Sequence, residues 1–333
     1  MGILVMYPGP SRVKKAISFE TLENVTFMKI LVATEKPFAK AAVDGIREIV
    51  EGAGYELALL EKCADKAELL AAVADADGLI VRSDKVTREV IDAARNLKIV
   101  VRAGAGYDNV DLAACTERGI VVMNTPGQNS NAVAELVVSM MIFISRNQFT
   151  PGTGAEVSGK RLGIHAYGNV GRIVARYGRA LGMSVKAFDP FVDPRQLEAD
   201  GVEAVGTVEE LYASSDYVSL HIPATAQTRG SIGYELLSSM PKGGVLINTA
   251  RKEVIDEAGL MQALEERPDL KYITDIAADA QPQLAEKFGK RVFATAKKMG
   301  AETAEANVNA GLAAANQVVD FLKNGNRRFQ VNK

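Results

Sequence analysis

The sequence predicts an α/β protein built from two doubly wound parallel sheets with a cleft between them, and three observations carry that prediction. From Met28 onward, short β-branched runs alternate with helix-length amphipathic segments, the pattern of parallel strands covered by helices. A glycine-bearing turn lies directly between a strand and a helix near residue 166. The chain has 333 residues, 47% of them apolar, which is more than one ordinary core needs.

Taken in order, the first 27 residues carry Arg12, Lys14, Lys15, Glu20 and Glu23 without a long apolar core, which argues against a secretory signal. A start-like segment, MKILVATEKPF, begins at Met28, so residues 1–27 are read as an extension outside the functional fold. KILVAT, GLIVRS, KIVVRAG and VVMNTP are the strands of a first unit ending near Pro126, with PFAKAAVDGIREIVEGAG, AELLAAVADA and TREVIDAARNL as its helices. A long, mostly apolar helix follows from Asn131 to Asn147, opened by capping residues Asn129, Ser130 and Asn131. Such a helix suits a domain or subunit junction. The loop FTPGTGAEVSGK leads to a second series with strands LGIHAYG, VKAFD, VSLHIPA, VLINTA, YITDIA and VFATA. A last helix runs from Ala304 to an Asn-Gly stop, and the reading leaves no segment after it for a regulatory domain.

Composition narrows the function classes. Acidic and basic residues nearly cancel at a formal net charge of -2, which excludes a nucleic-acid footprint and an electrostatic membrane anchor. No apolar run approaches the roughly 20 residues of a membrane helix. Cys63 and Cys115 lack metal-ligand spacing and fit a reducing, cytoplasmic setting, with no metal expected. The expected partner is a small molecule.

The segment GKRLGIHAYGNVGR places Ala166, Gly168 and Gly171 where a G-x-G-x-x-G turn has its three glycines. Gly168, Asn169, Val170 and Gly171 would offer backbone N-H groups at a helix N-terminus to a pyrophosphate. Asp189 ends the next strand, 18 residues beyond Gly171, where an acid would hold ribose hydroxyls and repel a 2′-phosphate. The cofactor expected is therefore NAD.

With that loop, the blocks VVRAGAGYDNVDL, VVMNTPGQNSNAVAELV, VSLHIPATAQT and LINTARKEVID occur in an order that resembles the D-2-hydroxyacid dehydrogenases, over roughly residues 28 to 330. The blocks are most similar to the D-3-phosphoglycerate dehydrogenases, in particular a short subgroup with KKMGA where most members have a catalytic histidine before Gly-Ala. The resemblance implies two Rossmann/flavodoxin-like domains: residues 28–126 with 304–333 for substrate, and 127–303 for NAD. It also implies a homodimer formed through the long apolar helix, without serine feedback.

By the same resemblance Arg251 pairs with the substrate carboxylate and polarises the reacting carbonyl, a task for which a guanidinium supplies two charge-assisted bonds. Ile222, Thr249, Ala250 and Ala105 line the cofactor, and Asp275 lies near its nicotinamide end. Arg82, Ser83, Gly104, Ala105 and Gly106 fall in the substrate loops, while Asp108 and Asn109 close the second of these loops. The glutamate that usually pairs with the histidine is replaced by Ala280, with Asp279 one residue off. His165 and His221 match structural strand positions. Counting back from Gly300 and Ala301 puts Lys298 in the histidine position, whereas anchoring on Thr295 and Ala296 favours Lys297; Lys298 is preferred as acid and base. Oxidation of 3-phosphoglycerate is the leading expectation. Reduction of glyoxylate or hydroxypyruvate is the alternative, and a catalytically silent NAD-sensing protein is a third, motivated by the missing His and Glu.

Overall fold

The computed structural model describes residues 28–62 and 65–333, so the assignment of residues 1–27 and the reading of Cys63 lie outside the described residues. A first, five-stranded sheet is formed by β1 (Lys29–Thr34), β2 (Glu56–Glu61), β3 (Gly78–Val81), β4 (Ile99–Arg102) and β5 (Val121–Asn124). These strands pair in the order β2-β1-β3-β4-β5, all parallel. All four residues of β3 are buried, as parallel strands sandwiched between helices require. α1 (Lys40–Gly52) buries Ala42, Ile46 and Val50 on one face of this sheet.

The last helix, α12 (Ala304–Asn324), returns to the same face, where Ala310, Ala314, Ala315 and Val318 join Ile46 and Val50 in one core. Small residues permit the close approach: a Cβ on Gly45 would meet Leu312, and one on Gly311 would meet Ile46 and Phe38. Thr303 Oγ1 accepts the Ala306 N-H (3.1 Å) at its start, and Gly325 ends it in a left-handed conformation (φ 67°).

The second sheet orders its seven strands β12-β11-β10-β9-β6-β7-β8. They are β6 (Arg161–His165), β7 (Ser184–Phe188), β8 (Glu203–Ala204), β9 (Tyr217–Leu220), β10 (Val245–Asn248), β11 (Lys271–Thr274) and β12 (Val292–Ala294). The order reverses between β6 and β9, and crevices for ligands open at the carboxyl ends of strands at such a point. Helix α5 (Ser130–Ser145) packs on α6 (Asn169–Ala180) beside this sheet. Among the described residues no helix is long and apolar enough to cross a membrane.

Several local expectations need correction. β2 is absent from the strands expected from sequence, because ELALLE lacks β-branched residues; it becomes a strand by pairing Glu56–Glu61 with Lys29–Thr34 at the sheet edge. The short helix α4 (Leu112–Glu117) and the two-residue β8 were too brief to show a period. α5 stops at Ser145 rather than Asn147, since Asn147, Gln148 and Phe149 take φ values of 51°, 57° and 55°, which a right-handed helix cannot continue. Its N-cap Asn129 makes no side-chain cap bond. Cys115 is fully buried with its thiol pushed up to about 12 by that burial, so it packs rather than reacts.

Candidate active site

The turn after β6 is strained by its first residue. Ala166 stands in the position of the first fingerprint glycine and adopts φ 81°, at a cost of about 1 kcal/mol for a residue with a Cβ. Gly168 caps α6, and a Cβ built there would meet nothing within 4 Å, so the backbone faces open space. Gly171 is the opposite case: its Cβ would lie 2.3 Å from the Ala166 carbonyl oxygen, so the helix approaches the turn this closely only with glycine. The first bond at the start of α6 runs from Arg172 N-H to Gly168 O (3.1 Å), leaving the amides of Asn169, Val170 and Gly171 for an anion. Asp189 binds the turn from the next strand, accepting the Tyr167 N-H (2.8 Å) and the Phe191 N-H (2.9 Å), with lone pairs to spare on both oxygens.

The ends of β9, β10 and β11 bring Ile222, Thr249, Ala250, Arg251 and Asp275 to the same edge. Asn248 shapes the turn after β10: its Oδ1 accepts the Ala250 N-H and its Nδ2 donates to the Arg251 carbonyl, both at 3.0 Å. Two buried oxygens here, Thr249 Oγ1 and Asp275 Oδ1, have no hydrogen-bond partner among the described residues. Buried polar atoms are normally satisfied, so this edge has the character of a binding surface. Asp275 Oδ2 accepts the N-H groups of Met299 (3.2 Å) and Gly300 (2.8 Å). Burial holds the Asp275 carboxyl above its ordinary pKa, outweighing those bonds and the pull of Lys298.

Positive charge converges opposite this edge. Arg251 donates to the Ala250 carbonyl (2.8 Å), and its other terminal nitrogen lies 3.7 Å from Asp108, which projects from the first sheet. Arg102, at the end of β4, donates through Nε to the Arg82 carbonyl (3.0 Å), and its two terminal nitrogens have no acceptor among the described residues. Gly104 makes room for it, since a Cβ there would fall 1.6 Å from Arg102 Nη1. Gly106 does the same for Arg251, whose Nη2 would be 2.8 Å from its Cβ. Burial, then Arg251 and Arg82, press the Arg102 pKa downward.

Lys298 sits among these groups and has no hydrogen-bonding or ion-pair partner among the described residues. Its side chain is exposed, as that of Lys297 is, although protein atoms crowd its ammonium. Its pKa is lowered, first by burial and next by Arg251, with Arg102 adding to the effect; Asp275 and Asp108 oppose it. Lys297 is exposed, and only its carbonyl is engaged, by the Thr295 hydroxyl (2.7 Å).

Other candidate residues fall differently. Arg82 donates to the carbonyls of Lys36 (3.0 Å) and Pro37 (3.2 Å) and to Asn307, and it stacks over Phe38, so its terminal nitrogens fasten the end of β3 to the loop after β1 and to α12. Ser83 and Ala105 are exposed, and Ala105 is held through its carbonyl by Asn124 (2.6 Å). Asn109 closes its loop onto the Asp84 carbonyl (2.6 Å), whereas Asp108 reaches the guanidinium of Arg251. Asp279 pairs with Lys252 (2.6 Å), away from Lys298. Burial holds His165 and His221 down to about 4 and about 3, so both are neutral at ordinary pH. Among the described residues no group of three or more His, Cys, Asp or Glu could hold a metal ion.

The sequence profile described as D-isomer specific 2-hydroxyacid dehydrogenase, catalytic domain, matches residues 31–332. The chain belongs to this family. It is 37% identical over 272 residues to a D-3-phosphoglycerate dehydrogenase of Methanocaldococcus jannaschii, covering 78% of this chain and 52% of the relative. The chain spans about half the length of the curated relatives it matches. Among solved structures it is similar to the NAD+-bound 3-phosphoglycerate dehydrogenase of Entamoeba histolytica, at 51% identity and a TM-score of 0.84 over 92% of this chain and 99% of the other. A glyoxylate reductase from Paecilomyes thermophila is 28% identical, with a TM-score of 0.75 over 92% and 98%.

Reading the chain from sequence missed Arg102 and Asn248. Arg102 offered only the signal that Arg82 shares, an arginine at the carboxyl end of a strand of the first sheet; Asn248 offered none, since a buried strand-end asparagine is recognised only by what it clamps.

The glycine-turn geometry gives a direct check by chemical denaturation. Gly171→Ala should lose about 2 kcal/mol or more, Ala166→Gly should gain about 1 kcal/mol, and Gly168→Ala should stay near wild type. A Gly171→Ala variant as stable as wild type would contradict the close-packing account.

Proposed function

We propose that this dehydrogenase oxidises 3-phosphoglycerate to 3-phosphohydroxypyruvate with NAD, or runs the reverse reaction, in the cytoplasm. The observation that carries the reading is the set of cations, Arg102, Arg251 and Lys298, gathered opposite Asp275 with few carboxylates to neutralise them. Such a site favours a small substrate bearing more than one negative charge.

The residues present fit the cofactor. Gly168, Asn169, Val170 and Gly171 would take its pyrophosphate, Asp189 its ribose hydroxyls, and Ala105, Ile222, Thr249, Ala250 and Asp275 its nicotinamide half. Unpaired Thr249 Oγ1 and Asp275 Oδ1 support the last assignment. When bound, NAD supplies the hydride acceptor. Arg251 would hold the substrate carboxylate in a bidentate pair, and the amides of Gly104, Ala105 and Gly106 would meet it from the facing loop. Lys298 takes the hydroxyl proton, for which it must be neutral part of the time, and its lowered pKa supports that role. Arg102, with free donors, would take the phosphate; Arg82 and Ser83 would help only from behind it. Residues 28–126 and 304–333 form the substrate side, and 127–303 the cofactor side.

The engagement of Arg82 with Lys36, Pro37 and Asn307 favours a second reading, reduction of the smaller glyoxylate or hydroxypyruvate. Following the NADH absorbance over a panel of 2-hydroxy and 2-oxo acids separates the two. The phosphorylated pair should give the highest kcat/KM, and Arg102→Ala should lower it selectively by about 10- to 100-fold. Equal rates with glyoxylate would contradict the phosphate assignment; no activity on any member would favour the sensing protein.

In the same assay Lys298→Ala should lower kcat by about 10²- to 10⁴-fold, with a smaller effect on NAD binding. Full activity in that variant, with loss in Lys297→Ala, would move the role by one residue.

NAD should be preferred over NADP because Asp189 would face a 2′-phosphate, and Asp189→Ala should narrow the gap in kcat/KM. Equal efficiencies in the wild type would remove this argument. We also propose a homodimer through the apolar face of α5, which continues onto exposed Phe149. Light scattering should report twice the chain mass, and a single-chain mass would refute it.

A further inference from the structure

We propose that Met299 is a positioning residue for Lys298: its side chain seats the loop that carries the lysine in an apolar groove alongside α5. The inference rests on Lys298 being the proton-transfer group. Met299 is one of few large apolar side chains left exposed, at 44%. It lines a groove of about 470 Å³ together with Leu136, Met140, Phe143, Phe149 and Phe293. Its backbone N-H, by contrast, donates to the buried carboxylate of Asp275 (3.2 Å) at the edge of the cleft. One residue thus joins the groove to the site.

Lys298 needs such support because nothing holds it directly. Its ammonium has no hydrogen-bonded partner among the described residues, and Ala280 cannot orient it as an acid would. The segment is pinned on both sides of the lysine instead. On one side the Thr295 hydroxyl binds the Lys297 carbonyl (2.7 Å), and on the other Met299 is held by Asp275 and by the groove. Gly300 completes the anchor, since its own N-H donates to Asp275 (2.8 Å) and a Cβ there would press on Val133 (3.2 Å). Without the Met299 side chain, the peptide between 298 and 299 keeps one hydrogen bond and loses its apolar seat, so the ammonium would range further from the walls and toward water.

The charged groups facing it are Arg251 after β10, Asp275 after β11, and Arg102 and Asp108 from the end of β4 and its loop. Burial and the two arginines disfavour the ammonium form; moving outward relieves both, and the lysine regains its proton more readily. The pH limb of oxidation would then move to higher pH, which a merely structural residue has no reason to cause.

The test uses the full chain with NAD, at concentrations where light scattering gives all variants the wild-type mass. Met299→Ala should lower kcat about tenfold or more and shift the rising limb of the kcat-pH profile to higher pH, with KM for NAD nearly unchanged. Met299→Leu, which keeps apolar volume, should restore both. Met299→Gln, similar in length but polar, should resemble Ala and serves if Ala fails to fold. A wild-type limb and kcat in both Ala and Gln variants overturns the inference. Lys298→Ala is measured in parallel: if it stays active, the lysine reading itself has failed; if it is inactive while Met299→Ala matches wild type, only the positioning role has.

Discussion

Asp275 is buried, its carboxyl held above the ordinary range, and one oxygen binds the N-H groups of Met299 and Gly300. Much of the site depends on that junction. It ties the end of β11 to the loop after β12, and the loop leads directly into Thr303 and α12, which belongs to the other sheet. A single carboxylate therefore fixes the path by which the chain leaves one sheet, passes the cleft with Lys298, and enters the other. Its second oxygen, like the Thr249 hydroxyl at the same edge, has no hydrogen-bond partner among the described residues.

The second constraint is the charge balance of the cleft. The nearest carboxylate to Arg251 is Asp108, 3.7 Å away but 86% exposed. At that distance an ion pair in near-aqueous surroundings contributes about 1 kcal/mol or less. On the proposed reading, a substrate carboxylate bound by two charge-assisted bonds would exceed it, and Asp108 would yield the guanidinium to substrate. The same imbalance accounts for the lysine. Where a histidine needs an acid to hold its tautomer, a lysine needs cations and burial to lose its proton, and a glutamate at position 280 would raise its pKa again. Ala280 and Lys298 make sense together.

Much of the architecture was legible because parallel strands covered on both faces are buried throughout and mostly apolar, as GLIV, YVSL and VLIN are. β2 was hidden because an edge strand can be built from ELALLE, a sequence that also suits a helix. The glycine turn could be read residue by residue, down to the division between Gly168, open to space, and Gly171, closed by Ala166. The cation cluster could not, since Arg82 and Arg102 both end strands of one sheet and only their neighbours distinguish them. Carbonyls of Lys36 and Pro37 occupy Arg82, whereas Gly104 clears room for Arg102. Met299 was silent in sequence, because a methionine beside a lysine declares neither a groove nor an anchor.

The central claim is that Lys298 loses its proton more readily than an ordinary lysine. The most direct measurement is its own titration in the intact protein, following the rate of amine modification at Lys298 and Lys297 against pH by mass spectrometry. Lys297, one residue away and likewise exposed, is followed alongside it. The account predicts that Lys298 becomes reactive at distinctly lower pH than Lys297 and at lower pH still when NAD+ adds its positive ring. Coincident profiles near the usual lysine value of about 10.4, unmoved by NAD+, would contradict it.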